Sequence, residues 1–214
     1  MSFKDEFESF YKSNLGDISL PYPLFYKFPV GIRFEMGDDN EDDDNKYIKG
    51  AKSRALSIFN ELFDKDDEIY LVVDSCEKYS DFYGTDVSRD NISLVKKFIS
   101  KIDDEYCYEK LVATYEDDEE EYPYDRYIIK TSRDSIDADK LISEIVESEL
   151  KGKSSLSNSV FLVNKNSGIL YFLYDDRGLD IAANDKQKLK GIYIKFNDWI
   201  LDYDRERIDK IFSE

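Results

Sequence analysis

The sequence predicts an α+β protein, with one mixed, mainly antiparallel sheet packed by amphipathic helices. Three observations lead there. Short runs rich in Val, Ile, Phe and Tyr recur along the chain between Asn, Asp, Ser and Gly, as strands do. Longer stretches between them repeat their apolar residues every three or four positions, the period of a helix with one buried face. Finally, 41% of the 214 residues are hydrophobic, with 14 Phe and 17 Tyr, which supplies a core in spite of the charge. We read one domain over residues 1–214, with a weak boundary near residues 152–158, where the chain is Ser-rich.

Ser2 precedes Phe3, Phe7, Phe10 and Tyr11, which predicts a capped helix with one aromatic face, ending where Gly16 can turn left-handed. Pro21, Pro23 and Pro29 keep the next segment extended. Val30–Met36 alternates as a half-buried strand, in which Arg33 and Glu35 share a face and can pair. A helix over Tyr47–Phe63 buries Ala51, Ala55, Ile58, Phe59 and Leu62, and the nearly continuous apolar run of Glu68–Asp74 suits a central strand. Ser80–Ser88 reads as a polar loop. Ser88 or Asp90 then caps a helix carrying Ile92, Val95, Phe98, Ile99 and Ile102. Tyr106–Tyr115 and Tyr124–Thr131 read as a long hairpin, and Ser135 or Asp137 caps a helix with Leu141, Ile142, Ile145, Val146 and Leu150 inward.

The last third organises the rest. Val160–Val163 and Ile169–Tyr174 flank Asn164-Lys165-Asn166-Ser167-Gly168 as a hairpin. After the turn Asp175-Asp176-Arg177-Gly178 comes a short apolar piece, Leu179–Ala183. Leu189, Ile192, Tyr193, Phe196, Ile200 and Tyr203 then lie on one face of a helix that covers the hairpin, and a final helix from Arg205 follows if Asp204 caps it. The stretches DDRGLDIAA and NDWILDYDRERID, with FPVGIRFE and RALSIFNELF, resemble an uncharacterised family of small acidic bacterial proteins, the domain of unknown function numbered 3885. The resemblance runs from Leu20 to Phe212. It implies a bacterial cytosolic protein, associated with toxin–immunity pairs, and brings no catalytic residues with it.

Charge narrows the function. Thirty basic against 48 acidic residues leave a formal net charge of −18, which repels nucleic acid and anionic membranes and favours a basic protein partner. There is no histidine, the commonest general base and metal ligand near neutral pH. Cys76 and Cys107 are too few for a disulfide framework or a zinc site and read as small buried hydrophobes. The phosphate-binding glycine loops, the GxSxG elbow and the HExxH zinc motif do not occur, so no cofactor, metal or catalytic residue is assigned. Met1–Tyr11 does not read as a signal peptide and no apolar run is long enough to span a bilayer, so we expect a cytoplasmic protein. The oligomeric state is left open.

Two candidate sites follow. Asp38, Asp39, Glu41, Asp42, Asp43 and Asp44 form one acidic loop, and Glu116, Asp117, Asp118, Glu119, Glu120 and Glu121 form the tip of the long hairpin. The first resembles a calcium loop but lacks the mid-loop Gly and closing Glu of an EF-hand, and we read both as solvated loops that dock a basic partner, such as a toxin neutralised by an immunity protein. The alternative is an enzyme or small-ligand domain whose pocket draws on Asp175, Asp176, Arg177, Asp198, Trp199, Asp202 and Arg205. A third reading is an accessory domain that acts by self-association.

Overall fold

Strands that are apolar on both faces need cover on both, and the chain supplies it. The computed structural model describes residues 2–16, 20, 24–38, 40–80, 86–102, 106–114, 121–148, 156 and 159–213. Its elements are α1 (Phe3–Leu15), β1 (Val30–Glu35), α2 (Asp44–Leu62), β2 (Glu68–Ser80), β3 (Asp86–Arg89), α3 (Asn91–Val95), β4 (Tyr106–Thr114) and β5 (Glu121–Ser132). They continue with α4 (Ala138–Val146), β6 (Val160–Asn164), β7 (Leu170–Leu173), β8 (Gly178–Ala183), α5 (Lys186–Lys195) and α6 (Arg205–Ser213). Seven strands form a sheet in the order β1-β8-β7-β6-β2-β5-β4, and β3 pairs with β2 off this path. The described pairings are all antiparallel. β1 and β2, joined by α2, therefore run the same way, with three strands between them.

The period-two alternation sorts each strand between two cores. On one face Ile69, Leu71 and Val73 of β2 join Leu162, Tyr171 and Ile181 beneath Ala55, Ile58 and Phe59 of α2, Leu141 of α4, Leu189 and Ile192 of α5 and Ile208 of α6. On the other, Tyr70, Val72, Phe161, Val163, Leu170 and Phe172 pack against Phe3, Phe7 and Leu15 of α1 and against Leu24 and Phe28. The rings of Phe161 and Phe172 stack across that face, 4.2 Å apart. The hairpin β6–β7 turns at Gly168, whose φ of 70° suits glycine, and α1 ends at Gly16 with φ 86°. Asp90 and Asp137, rather than Ser88 and Ser135, cap α3 and α4.

Several expectations need correction. Residues 86–88, read as loop, lie in β3. α2 begins at Asp44 because Asp43 caps it, accepting from the backbone N–H groups of Asn45 and Lys46. The predicted α3 helix stops at Val95, passes into a 3-10 turn, and Ile99 makes a bridge to Ile136. The helix expected to run on to Tyr203 stops at Lys195, and Ile200 instead bridges Phe34 of β1. Tyr203 is exposed. Of the Ser-rich stretch read as a weak boundary, Leu156 is buried and residues 152–155, 157 and 158 lie outside the described residues.

A carboxylate of α1, Glu6, helps to fasten the helix to its face. Glu6 accepts from the Tyr70 hydroxyl at 2.8 Å and from Lys165 Nζ at 3.0 Å, and these two bonds hold it below the usual glutamate range. A depressed pKa contributes stability that is full above the ordinary value near 4.5 and lost as pH falls through the folded value. Glu6→Gln should therefore cost about 0.5–1 kcal/mol in urea unfolding at pH 7. The gap between variant and wild type should close on acidification below pH 4.

Candidate functional site

The segments 175–178 and 197–205 both meet the β1 edge of the sheet. As the chain leaves β1, the Met36 N–H donates to the Arg177 carbonyl at 2.8 Å, which seats the 175–178 turn there. Asp175 is buried. Its Oδ1 accepts from the backbone N–H groups of Arg177 (2.8 Å) and Gly178 (3.3 Å), and its Oδ2 pairs with the Arg177 guanidinium. This is an Asx turn strapped by the neighbouring cation. Asp176 is half-buried, with Oδ1 enclosed and without a hydrogen bond. Burial raises its carboxyl and the Asp175 charge adds to the rise, while Arg177 and the Tyr47 hydroxyl oppose it.

Asn197–Trp199 and Asp202–Asp204 are 3-10 turns, so Asp198, Asp202 and Arg205 do not share one α-helical face. Trp199 stacks on Phe196 with ring centres 5.0 Å apart, and the Arg54 guanidinium lies 5.7 Å from its ring. Arg54 in turn donates to the carbonyls of Glu35 (3.1 Å) and Gly37 (2.8 Å). Arg205 binds Asp202 Oδ1 (3.0 Å), Asn197 Oδ1 (3.2 Å) and the carbonyls of Asn197 (3.1 Å) and Ile200 (3.0 Å). Asp198 and Asp202 are exposed. Asp175, Arg177 and Arg205 thus shape turns.

A cleft of about 390 Å³ lies elsewhere, between the end of α2, the β6–β7 turn and α5. None of the seven residues lines it. The Asn164 side chain in its wall donates to the Leu62 carbonyl and Asp67, and accepts from the N–H groups of Asn166 and Ser167. Among the described residues no group of three or more His, Cys, Asp or Glu is placed to hold a metal ion.

The first acidic loop is ordered by its own carboxylates. Asp38 accepts from the backbone N–H and side-chain amide of Asn40, at 3.0 and 3.1 Å, and is held below the usual aspartate range by them. Glu41 accepts from the Asp43 N–H, and Asp43 caps α2. Asp38, Asp42, Asp43 and Asp44 are exposed. Asp39 and residues 116–120 of the second acidic run lie outside the described residues, and Glu121 opens β5.

The centre of the edge is a buried ion cluster that the sequence reading missed. Arg33 does not turn to Glu35 for its carboxylate. It faces Asp180, its register partner on β8, with Nε–Oδ1 2.8 Å and Nη2–Oδ2 2.9 Å. The side chain of Asp180 is fully buried, and that of Arg33 is 11% exposed. The Phe25 N–H also donates to Asp180. Burial pushes the Asp180 carboxyl up, and the Arg33 pair pulls it back. Asp204, the residue before α6, accepts from the Tyr26 hydroxyl at 3.0 Å and lies 3.6 Å from Arg33. The rings of Phe25, Tyr26 and Tyr174 surround the guanidinium at 4.9–5.8 Å. The readable signal was a lone aspartate in an apolar strand, which needs a cation opposite.

A family model described as Domain of unknown function (DUF3885) matches residues 7–204. The "Uncharacterized protein YnaE" of Bacillus subtilis (strain 168) is 23% identical over 198 residues, which covers 84% of this chain and 90% of that protein. No solved structure matches the chain.

Asp180→Ala should cost about 3–5 kcal/mol in urea unfolding, because it removes the bidentate partner of Arg33 and leaves the guanidinium only Asp204, at 3.6 Å. The double replacement Arg33→Met with Asp180→Leu should be less costly than that single change, since it removes both charges together.

Proposed function

The chain belongs to the family of the domain of unknown function DUF3885, and we propose that it is a non-enzymatic binding protein that holds a basic protein partner. In its concrete form it is an immunity protein that masks a cationic toxin. The observation that carries this reading is the corner between β1 and α2, where Asp38, Asp42, Asp43 and Asp44 stand exposed on a loop ordered by its own hydrogen bonds. The wider charge agrees. Asp74, Asp175, Asp180 and Asp204, the carboxylates drawn into the fold beside an arginine, are answered by Arg126, Arg177 and, for the last two together, Arg33, so nearly all of the surplus behind −18 lies in the rest of the chain. A surface of that sign speeds encounter with a cation and repels competing anions.

The alternative, a small-ligand pocket at the 175–178 and 197–205 segments, draws on one atom, the enclosed Oδ1 of Asp176. Asp175 and Arg205 already spend their hydrogen bonds on the backbone around them, which favours the binding reading.

Replacing Asp38, Asp42, Asp43 and Asp44 with Asn tests the reading, because Asn at position 43 keeps the helix cap. The association rate with a cationic probe, a hexa-arginine peptide, measured by stopped flow at low salt, should fall about tenfold or more, and its salt dependence should weaken. An unchanged rate rejects this loop as the docking surface.

A further inference from the structure

Tyr203 has the greatest exposure of the large hydrophobic side chains among the described residues, at 87%. The turn that carries it is nonetheless fastened on both sides. Before it, Asp202 is bound by Arg205 Nε, and the Leu201 N–H donates to the Arg33 carbonyl at 3.0 Å. After it, Asp204 is buried against Tyr26 and Arg33, and its N–H donates to the Leu201 carbonyl. Tyr26, whose hydroxyl Asp204 takes, is itself 40% exposed, and the Arg207 guanidinium lies 5.4 Å from its ring. The fold thus fixes the backbone around an aromatic ring and leaves the ring in water. Tyr and Arg are the types that dominate binding hot spots, and a ring on a fixed turn loses little freedom when it is covered.

We propose that Tyr203, with Tyr26 behind it, is a preformed anchor across which a basic protein partner lays an arginine or lysine side chain. The inference rests on the basic-partner reading above and adds a contact that is not a charge. Asp198, Asp202, Asp204 and Glu206 around the turn outnumber Arg205, which pairs with Asp202, and Arg207, which lies against Tyr26, so a cation reaching the Tyr203 ring face meets a modest negative excess, while the π-face attracts it at short range. A second copy of the chain is the poorer occupant, because it brings the same net charge of −18. The turn also lies along β1, through the Ile200–Phe34 bridge, and the 38–44 loop leaves the end of that strand. One partner can therefore touch both.

The probe is a fluorescently labelled hexa-arginine peptide, titrated against the full chain by anisotropy at low salt. Tyr203→Ala should weaken binding about fivefold without changing the salt slope, and Tyr203→Phe should bind as the wild type does. Thermal melts of both variants should match the wild type, since the side chain stands in solvent. If Tyr203→Ala binds as tightly as wild type while the four-Asn loop variant binds more weakly, the anchor is wrong and the basic-partner reading stands. If Tyr203→Ala weakens binding and the loop variant does not, the anchor is supported and the loop is not the docking surface. Wild type that fails to bind the peptide overturns both. A dimer in sedimentation that Tyr203→Ala dissolves would overturn the anchor in favour of self-association.

Discussion

A carboxylate in the middle of a buried strand has to be answered by a cation, and β8 places Asp180 there with its side chain fully enclosed. The answer is Arg33, directly opposite on β1. Because the pair is bidentate, it fixes the register of the edge strand as well as its charge. The same guanidinium then sets the surroundings. Phe25 and Tyr26 stack on it, so the segment after α1 is drawn onto the sheet, and Asp204 approaches it, so the C-terminal turn is drawn to the same place. Two chain segments far apart in sequence are thereby held at one edge.

A second pair does similar work across the sheet. Arg126 of β5 grips Asp74 of β2 at 2.7 and 2.8 Å and donates onward to the Leu20 carbonyl. Burial pushes Asp74 up, and the arginine opposes it. In both cases the cation is an arginine, whose planar fork can satisfy a carboxylate and a backbone carbonyl or stack on rings at the same time, which a lysine cannot do. In both cases a member of the pair also reaches the backbone between α1 and β1, Asp180 at the Phe25 N–H and Arg126 at the Leu20 carbonyl. Side chains from the sheet thus supply hydrogen-bond partners to the backbone at those two residues.

What was legible in the sequence follows from the range of the forces involved. The hairpin of β6 and β7 could be read because its two apolar runs and the Asn-to-Gly turn are adjacent. The faces of α2 and α4 could be read because a stripe at helical spacing is a local pattern. The misses share a cause. Ile200 and Ile99 sit at helical spacing from the preceding apolar residues, yet each leaves its helix to bridge a distant residue, Phe34 and Ile136. Spacing cannot distinguish a residue facing the core from a helix from one facing it across a bridge. The Arg33–Asp180 pair spans 147 positions, and only the strand register brings it together. The near neighbour Glu35 was the local choice, and long-range pairing overrode it.

How much of the acidity the fold itself needs can be argued from the helix starts. Asp43, Asp90, Asp137 and Asp185 each cap a helix by accepting backbone N–H groups. Ser2 performs that task for α1, with Asp5 returning the bond. Asn, Ser and Asp cap about equally well, so capping explains why these positions are short and polar without explaining why four of them are charged. The Asp38 turn has the same character, since an amide oxygen could accept from Asn40 as its carboxylate does. Asp180 and Asp74 differ, because a neutral residue there would take from an enclosed arginine the carboxylate that grips it with two bonds. The fold thus requires charge at a few interior carboxylates and only hydrogen-bond acceptors at many exterior ones. Charge chosen where an uncharged acceptor would serve acts beyond the range of a hydrogen bond, on whatever approaches the surface.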